Sequence, residues 1–558
     1  MRAGENHLPI SATVLAKDAL YECAALLPDT GDLSRELSRT LRVAAERLDE
    51  PMRLAVVGQI KRGKSTLVNA LLGQEVVATA RRELTFNVNE LHHSAVEQVM
   101  LHFRDGRSPA SIPPADLADW TVYDSERLNE LRTIRKIEFG LDNELLRSFR
   151  LIDTPGLGSV HGDDSAATLA KLGIDDPAER HHLQPLLHLL SRDVSAVHRE
   201  SADELDRADA VLYLFSRGLH EQDRRTLSAF DEGSGSSLTP LKAFGVLTKC
   251  DDDWPPDPDG LSATDPLAHH PVEEARERVR EYLDEPAIGR IFYTILPVAA
   301  RVATGAQWLD AERFGWLSEL SRLDPVRLVD ELSDEGEFGS ATDGPVPPAA
   351  RRELIDRLGG WGVHLACTAL RDGLGEEQVR DHLVEQSGVT ELRELALRHF
   401  GNRSMLIKLN QAVRSVRAEL AHYRERIGPD TGLRAAAEQV GRRIERLEHS
   451  EHRFAELDAL SAHYRGGLTG FSPGEVRQLL EVTGELGTHC AARLALPPDA
   501  SLGDMNAAVQ ERIRYWAARA NDPILARRSR QVARIIQRSY DGIAERVRLA
   551  QRFLEMAD

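Results

Sequence analysis

The chain has 558 residues and a formal net charge of −19, so it is too long for one ordinary core and too acidic overall to attract nucleic acid. Its four cysteines, Cys23, Cys250, Cys367 and Cys490, lie far apart with no Cys-x-x-Cys pair, the usage expected of a reducing cytoplasm. No apolar run approaches the roughly 18 residues of a membrane span, and the first seven residues lack an apolar signal core, so any membrane contact is expected to be peripheral.

Residues 11–49 read as two helices broken at Pro28-Asp-Thr-Gly31. In the second, Leu33, Leu37, Leu41, Ala44 and Leu48 form one apolar stripe that needs a partner. From Met52 to about residue 300, short apolar runs alternate with helical stretches: Leu54–Val57, Leu91–His92, Val99–Phe103, Ile134–Phe139, Phe149–Ile152, Ala210–Phe215, Ala243–Leu247 and Ile291–Val298. This alternation predicts an α/β domain with a doubly wound, mostly parallel sheet.

Three stretches in that domain carry chemistry. In Gly58-Gln-Ile-Lys61-Arg62-Gly63-Lys64-Ser65-Thr66, an apolar strand leads through two glycines into an apolar helix. That is the P-loop pattern in its strand–loop–helix context. The loop N–H groups and the helix N-terminus form an anion cradle. Lys64 is expected on the β- and γ-phosphates and the Ser65 hydroxyl on Mg²⁺. The second stretch, Leu151-Ile152-Asp153-Thr154-Pro155-Gly156, ends a strand on a carboxylate that can hold Mg²⁺ through a water. There the Gly156 N–H can sense a γ-phosphate. In the third, Val246-Leu247-Thr248-Lys249-Cys250-Asp251, the Asp251 carboxylate suits the N1–H and N2–H₂ of guanine, which adenine lacks. The Lys249 stem can pack over the ring. After the strand that ends Leu296-Pro-Val-Ala-Ala300, the Ala300 N–H can meet the guanine oxygen. A P-loop ATPase is the competing reading.

The order of these motifs resembles the dynamin superfamily of large GTPases, most closely the bacterial dynamin-like proteins. The stretch from Glu50 to Leu72 is similar to the actinobacterial isoniazid-inducible members. The resemblance implies GTP and GDP as ligands, a GTPase-domain homodimer or pairing with a second dynamin-like chain, and peripheral contact with membrane lipid at the cytoplasmic, inner face of the cell membrane. It also implies a threonine from the switch I segment that completes the Mg²⁺ shell. Thr85, 21 residues past Lys64, is the choice here and Thr79 the alternative. Where the family often has Gln-Ser or Phe-Ser in the loop, this chain has Ile60-Lys61. The Lys61 ammonium can take the place of a monovalent cation, or it is a solvated side chain. Arg81 and Arg82 stand as a candidate arginine finger against a solvated basic turn.

The histidines 161, 181, 182, 188 and 198 lack metal-site spacing and fit a helical insertion. The stretch Asp334–Pro348 reads as a loop that breaks a helical region. The resulting division is N-terminal helices over residues 1–50, a dynamin-type GTPase domain with helical insertions over 51–400, and a helical stalk over 401–558 that packs with the N-terminal helices. Leu406, Leu409, Val413, Val416 and Leu420, and also Val532, Ile536, Ile543 and Val547, are expected against the N-terminal stripe. Residues 524–556 hold eight arginines against three acids. Such a helix binds anionic lipid or pairs with acidic neighbours. Leu468 and Phe471, in the Gly466–Phe471 loop, are a candidate membrane-facing tip. The function expected is GTP hydrolysis coupled to dimerisation and stalk movement that remodels or tethers membrane, with a GTP-regulated scaffold for protein partners as the alternative.

Overall fold

A computed structural model describes residues 12–29, 31–59, 62–77, 88–116, 120, 133–153, 208–216, 218–220, 223, 239–255, 267–427, 431–450, 452–464 and 468–555. It divides into two compact units, residues 53–394 and residues 1–52 together with 395–558.

Among the described residues, the first unit is built on a nine-stranded sheet in the order β4-β3-β5-β2-β6-β1-β7-β8-β9. The strands are β1 (Met52–Gly58), β2 (Val88–His93), β3 (Gln98–Phe103), β4 (Ala110–Ile112), β5 (Ile134–Leu141), β6 (Phe149–Asp153), β7 (Ala210–Ser216), β8 (Ala243–Thr248) and β9 (Ile295–Val298). Pairs β1–β7, β7–β8, β8–β9 and β2–β5 are parallel, whereas β2–β6, β3–β5 and β3–β4 are antiparallel. One half of the sheet is therefore wound as expected, and the other carries a mixed extension. The central strands are covered on both faces, which is why Leu54–Val57 and Ala210–Phe215 are continuous apolar runs without alternation. Tyr213, Phe215 and Phe292 pack as an aromatic group with centroids 5.2 to 6.0 Å apart.

Two expectations change. Only Ile295–Val298 of the 291–298 run is a strand, while Ile291 and Phe292 are buried before it as core residues. The 334–348 stretch contains a helix, Glu335–Ser340, whose first turn is capped by Asp334 Oδ1 accepting from the Glu337 N–H at 2.9 Å. Phe338 and Val346 anchor that stretch in the core.

A charged network is buried in the sheet at Glu90 on β2. Its carboxylate accepts from Lys136 Nζ at 2.9 Å and Arg150 Nη1 at 2.7 Å, with Arg53 at 4.0 Å. Burial alone raises the Glu90 carboxyl, but the three cations outweigh it and hold the group at about 2. Its folded value lies below the ordinary 4.5, so its contribution to stability is full above that pH and is lost as pH falls toward 2. Glu90→Gln removes the buried anion that these part-buried cations share, leaving Lys136 only Glu138 among the described residues, and is expected to cost about 3 kcal/mol. Urea unfolding at pH 7 checks this, and the gap from wild type should narrow as the pH is taken below 4.

In the second unit, helices Ala12–Ala25 and Asp32–Glu46 pack with Ser404–Arg426 and Thr431–Ser450. Leu37, Leu41, Ala44 and Leu48 share one core with Leu409, Val413, Val416, Leu420, Val440 and Ile444. Ser34 Oγ and Tyr423 Oη lie 3.0 Å apart inside it, and Lys408 Nζ donates to the Leu48 and Glu50 carbonyls at 2.7 and 2.8 Å. The last helix, Arg527–Glu555, does not join that core. Its buried Val532, Ile536, Ile543 and Val547 face chiefly the helix Leu502–Ala520, with His452–Tyr464 and Pro473–Val482 beside it.

The candidate tip is also corrected. Leu468 and Phe471 are half-buried. The Phe471 ring lies 5.4 Å from Trp516, Arg519 Nη2 donates to the Gly470 carbonyl at 2.8 Å and Ser529 Oγ to the Thr469 carbonyl at 2.9 Å. The apolar side chain presented to solvent nearby is Ile524, 91% exposed. Of the eight arginines, Arg528 pairs with Asp458 at 2.7 Å and Arg530 donates to the Leu525 carbonyl, while Arg527, Arg534, Arg538, Arg546, Arg548 and Arg552 are exposed. No helix among the described residues is long and apolar enough to cross a membrane.

Candidate nucleotide site

The register of the parallel strands brings their carboxyl ends together. Gly58 ends β1 beside Leu214 of β7, Ser216 ends β7 beside Thr248, and Thr248 ends β8 beside Val298 of β9. Loops that leave neighbouring parallel strands at this edge form the ligand crevice of an open α/β sheet.

After β1 the chain turns at Gly63, whose φ of +81° lies in the left-handed region that glycine occupies without strain. The helix Lys64–Leu72 follows, its first N–H groups open at the crevice. Lys64 Nζ donates to the carbonyls of Gly58 and Gln59 at 3.3 and 3.0 Å. Burial pushes its ammonium down to about 8, with Arg62 adding to the shift and Asp153 opposing it. Thr66 lies in the first turn of the same helix.

Ser65 Oγ donates to Asp153 Oδ2 at 3.0 Å. Asp153 ends β6 and is buried, with Asn89 of β2 opposite in register. Burial raises its carboxyl, while Lys64, Ser65 and Asn89 pull the other way. Its Oδ1 is buried and has no hydrogen-bond donor among the described residues. A hydroxyl and a carboxylate with an open oxygen are the hard donors that Mg²⁺ takes, so the residues present fit that ion.

Thr248 Oγ1 bridges the carbonyl oxygens of Arg62 and Phe215 at 2.7 and 2.8 Å. This ties the end of β8 to the phosphate loop. Lys249 follows at φ +60°, an uncommon conformation for a residue with a Cβ. Asp251 lies in the short turn Cys250–Asp253 and is 4% exposed. Burial raises its carboxyl and the Arg301 guanidinium opposes that. Ala300 opens the helix Ala300–Trp308, so its N–H is one of the unpaired donors of a first turn. Gly58, Gly63, Lys64, Ser65, Asp153, Thr248, Lys249, Asp251 and Ala300 are thus assembled along one sheet edge. Lys61, Thr79, Arg81, Arg82, Thr85, Thr154, Gly156 and the histidines 161 to 198 lie outside the described residues.

Sequence reasoning missed Arg62 and its partner. The Arg62 guanidinium turns toward the sheet, donating to the Ser216 carbonyl at 3.0 Å and pairing with the fully buried Asp223 at 3.3 Å. Asp223 also accepts from the His220 N–H at 3.1 Å. One arginine therefore fastens the loop to β7 while its own carbonyl fastens it to β8. Arg62→Ala is expected to weaken GDP binding about tenfold, the worth of a charged hydrogen-bonded pair, with unchanged preference for GDP over ADP. Titration of a fluorescent GDP analogue with competing nucleotides checks both parts.

A strand-bounded phosphate loop, a half-buried serine bonded to a buried aspartate and a Thr-Lys-x-Asp turn on one sheet edge define a GTPase domain, and residues 54–219 match the dynamin family. Over that segment the chain is similar to the GTPase domain of that family. It is similar over most of its length to the isoniazid-induced protein IniC of Mycobacterium tuberculosis, with 27% identity over 532 residues, covering 94% of this chain and 96% of that protein. The isoniazid-induced protein IniA of the same organism is 31% identical over 153 residues, 26% of this chain and 23% of that protein. Dynamin-like protein 2 of Campylobacter jejuni is 27% identical over 173 residues, 31% of this chain and 27% of that protein. Among solved structures, a chain of an oligomerised bacterial dynamin pair aligns over 99% of this chain and 80% of its own, with 15% identity and a TM-score of 0.29.

Proposed function

We propose that this protein hydrolyses GTP to GDP and phosphate and couples the cycle, through GTPase-domain dimerisation and movement of its helical stalk, to the remodelling or tethering of a membrane at its cytoplasmic face. The observation that carries the GTPase reading is the buried Asp251 in the turn after β8, tied through Thr248 to the loop that holds Lys64. In this reading the loop N–H groups and the Lys64 ammonium neutralise the β- and γ-phosphates. Ser65, Thr85 and, through a water, Asp153 would hold Mg²⁺, which would supply charge neutralisation at the phosphates. The Gly156 N–H and the Thr85 carbonyl place the attacking water. The Lys61 ammonium would take the place of a monovalent cation near the bridging oxygen, with a solvated Lys61 side chain as the alternative. Lys249 covers the base, Asp251 reads its N1–H and N2–H₂, and the Ala300 N–H meets its oxygen.

The membrane part of the reading is supported by the exposed Ile524 beside Arg527 and by the run of exposed arginines along the last helix. The inward packing of Phe471 on Trp516 favours the alternative, a GTP-regulated scaffold for protein partners or a second dynamin-like chain. The test is the GTPase rate per molecule against protein concentration, with and without anionic liposomes, alongside liposome co-sedimentation. The proposal expects a rate that rises with concentration and rises again on liposomes. A flat rate counts against catalytic dimerisation. Full activity without liposome binding, with or without GTP, sinks the membrane reading and leaves the scaffold.

A further inference from the structure

Asp251 is already engaged. Arg301, the residue after Ala300, donates from Nε to Asp251 Oδ2 at 3.1 Å. Its Nη2 reaches Asp252 Oδ1 at 3.2 Å and Glu335 Oε1 at 3.5 Å. The seat for this guanidinium is built by a distant part of the unit. Helix Pro348–Arg371 breaks its helical geometry at Gly359, where φ is +70° and ψ 169°. A Cβ at Gly359 would lie 2.2 Å from Arg301 Nη2 and 2.8 Å from its Nε. The next residue, Gly360, donates its N–H to Glu335 Oε1 at 2.8 Å, which fixes the carboxylate that receives Arg301. Glu335 begins the short helix capped by Asp334. A kinked helix, a capped helix and two glycines thus converge on one arginine beneath the base-reading carboxylate.

Guanine needs both oxygens of that carboxylate, one for N1–H and one for N2–H₂. A carboxylate oxygen offers two acceptor positions. A donor fixed on Oδ2 therefore leaves room for a second and stops the group from rotating. Arg301 also places a positive charge beside Asp251 and Asp252, neighbours that otherwise repel. We propose that Arg301, held by Glu335 and the Gly359 kink, is a positioning residue that fixes the Asp251 carboxylate for two-point recognition of guanine, and so sets part of the chain's selectivity for the 2-amino group. The proposal rests on the guanine reading of the site.

The test compares GDP, inosine diphosphate (which lacks the 2-amino group) and ADP as competitors of a fluorescent GDP analogue on the full chain and on Arg301→Met, Arg301→Lys and Glu335→Gln. In Arg301→Met the preference for GDP over inosine diphosphate is expected to shrink about tenfold, the value of one charge-assisted hydrogen bond. Arg301→Lys, which keeps a donor and the charge, is expected to recover part of that preference, and Glu335→Gln to lose a smaller part. An arginine with a merely structural role weakens both nucleotides by the same factor, and that result, or an unchanged ratio, overturns the proposal. If Arg301→Met does not fold, as judged by its melting curve, an unchanged ratio in Glu335→Gln and Arg301→Lys overturns it equally. A wild-type chain that binds ADP as well as GDP overturns the guanine reading itself, a distinct outcome from a normal GDP preference that Arg301 does not alter.

Discussion

Lys64→Ala should lower kcat/KM for GTP about a thousandfold and take GDP affinity down with it, because the change removes the buried Lys64 ammonium from the phosphate cradle. Lys64 is bonded to the Gly58 and Gln59 carbonyls and held at about 8 by burial. A phosphate supplies the negative charge that burial lacks, so binding favours the protonated amine. Above about pH 8 the amine is increasingly neutral, and binding a phosphate must restore the proton. Wild-type affinity for GDP is therefore expected to decline as pH rises from 8 toward 10. Isothermal titration in two buffers of different ionisation enthalpy measures the proton taken up. Affinity that holds flat across that range would remove Lys64 from the phosphates.

Asp251→Asn should reverse the choice of base. The amide keeps one acceptor but replaces the other with a donor, which repels the guanine N2–H₂ and suits the second carbonyl of xanthine. A site built around a buried hydrogen-bonding group discriminates strongly once the pairing is wrong. GTP turnover at low concentration is expected to fall about a hundredfold, and xanthosine triphosphate to become the better substrate. Steady-state hydrolysis of GTP, xanthosine triphosphate and ATP by wild type and variant gives the answer directly. Unchanged use of GTP would mean that Asp251 does not read the base.

Parts of the fold were legible because burial leaves a pattern. β1 is covered on both faces and reads as an unbroken apolar run, and the stripe Leu37, Leu41, Ala44 and Leu48 repeats at helical spacing because one face of its helix is buried. Where burial and secondary structure separate, sequence misleads. Ile291 and Phe292 are apolar because they fill the core, not because they pair in the sheet. β4 is three half-exposed residues at the sheet edge and has no pattern to read. The glycines and prolines of 334–348 suggest a loop, yet Asp334 is a helix cap within it.

The site divides in the same way. The loop and turn motifs are local, so Lys64, Ser65, Asp153 and Asp251 can be named from spacing alone. Their supports are not local. Asp223 is 161 residues from Arg62, and Glu335 is 34 from Arg301. Neither pair sits at a distance that any periodicity marks. Asn89 is one asparagine in a strand until the register sets it against Asp153.

The second unit has a consequence for how the protein is made. Its two contributing segments, residues 1–52 and 395–558, are separated in the chain by the whole of the other unit. At translation rates of about 5 to 20 residues per second, the roughly 340 intervening residues take some 20 to 70 seconds to appear. Through that interval the stripe of Leu37 and Leu41 has emerged, while Leu409, Val413 and Val416, which cover it, do not yet exist. The GTPase unit, continuous in sequence, can fold on the ribosome in the meantime. The first two helices are therefore left open to chaperones, proteases and other nascent copies through that interval, and a premature stop after residue 394 would release the nucleotide unit with an uncovered apolar helix.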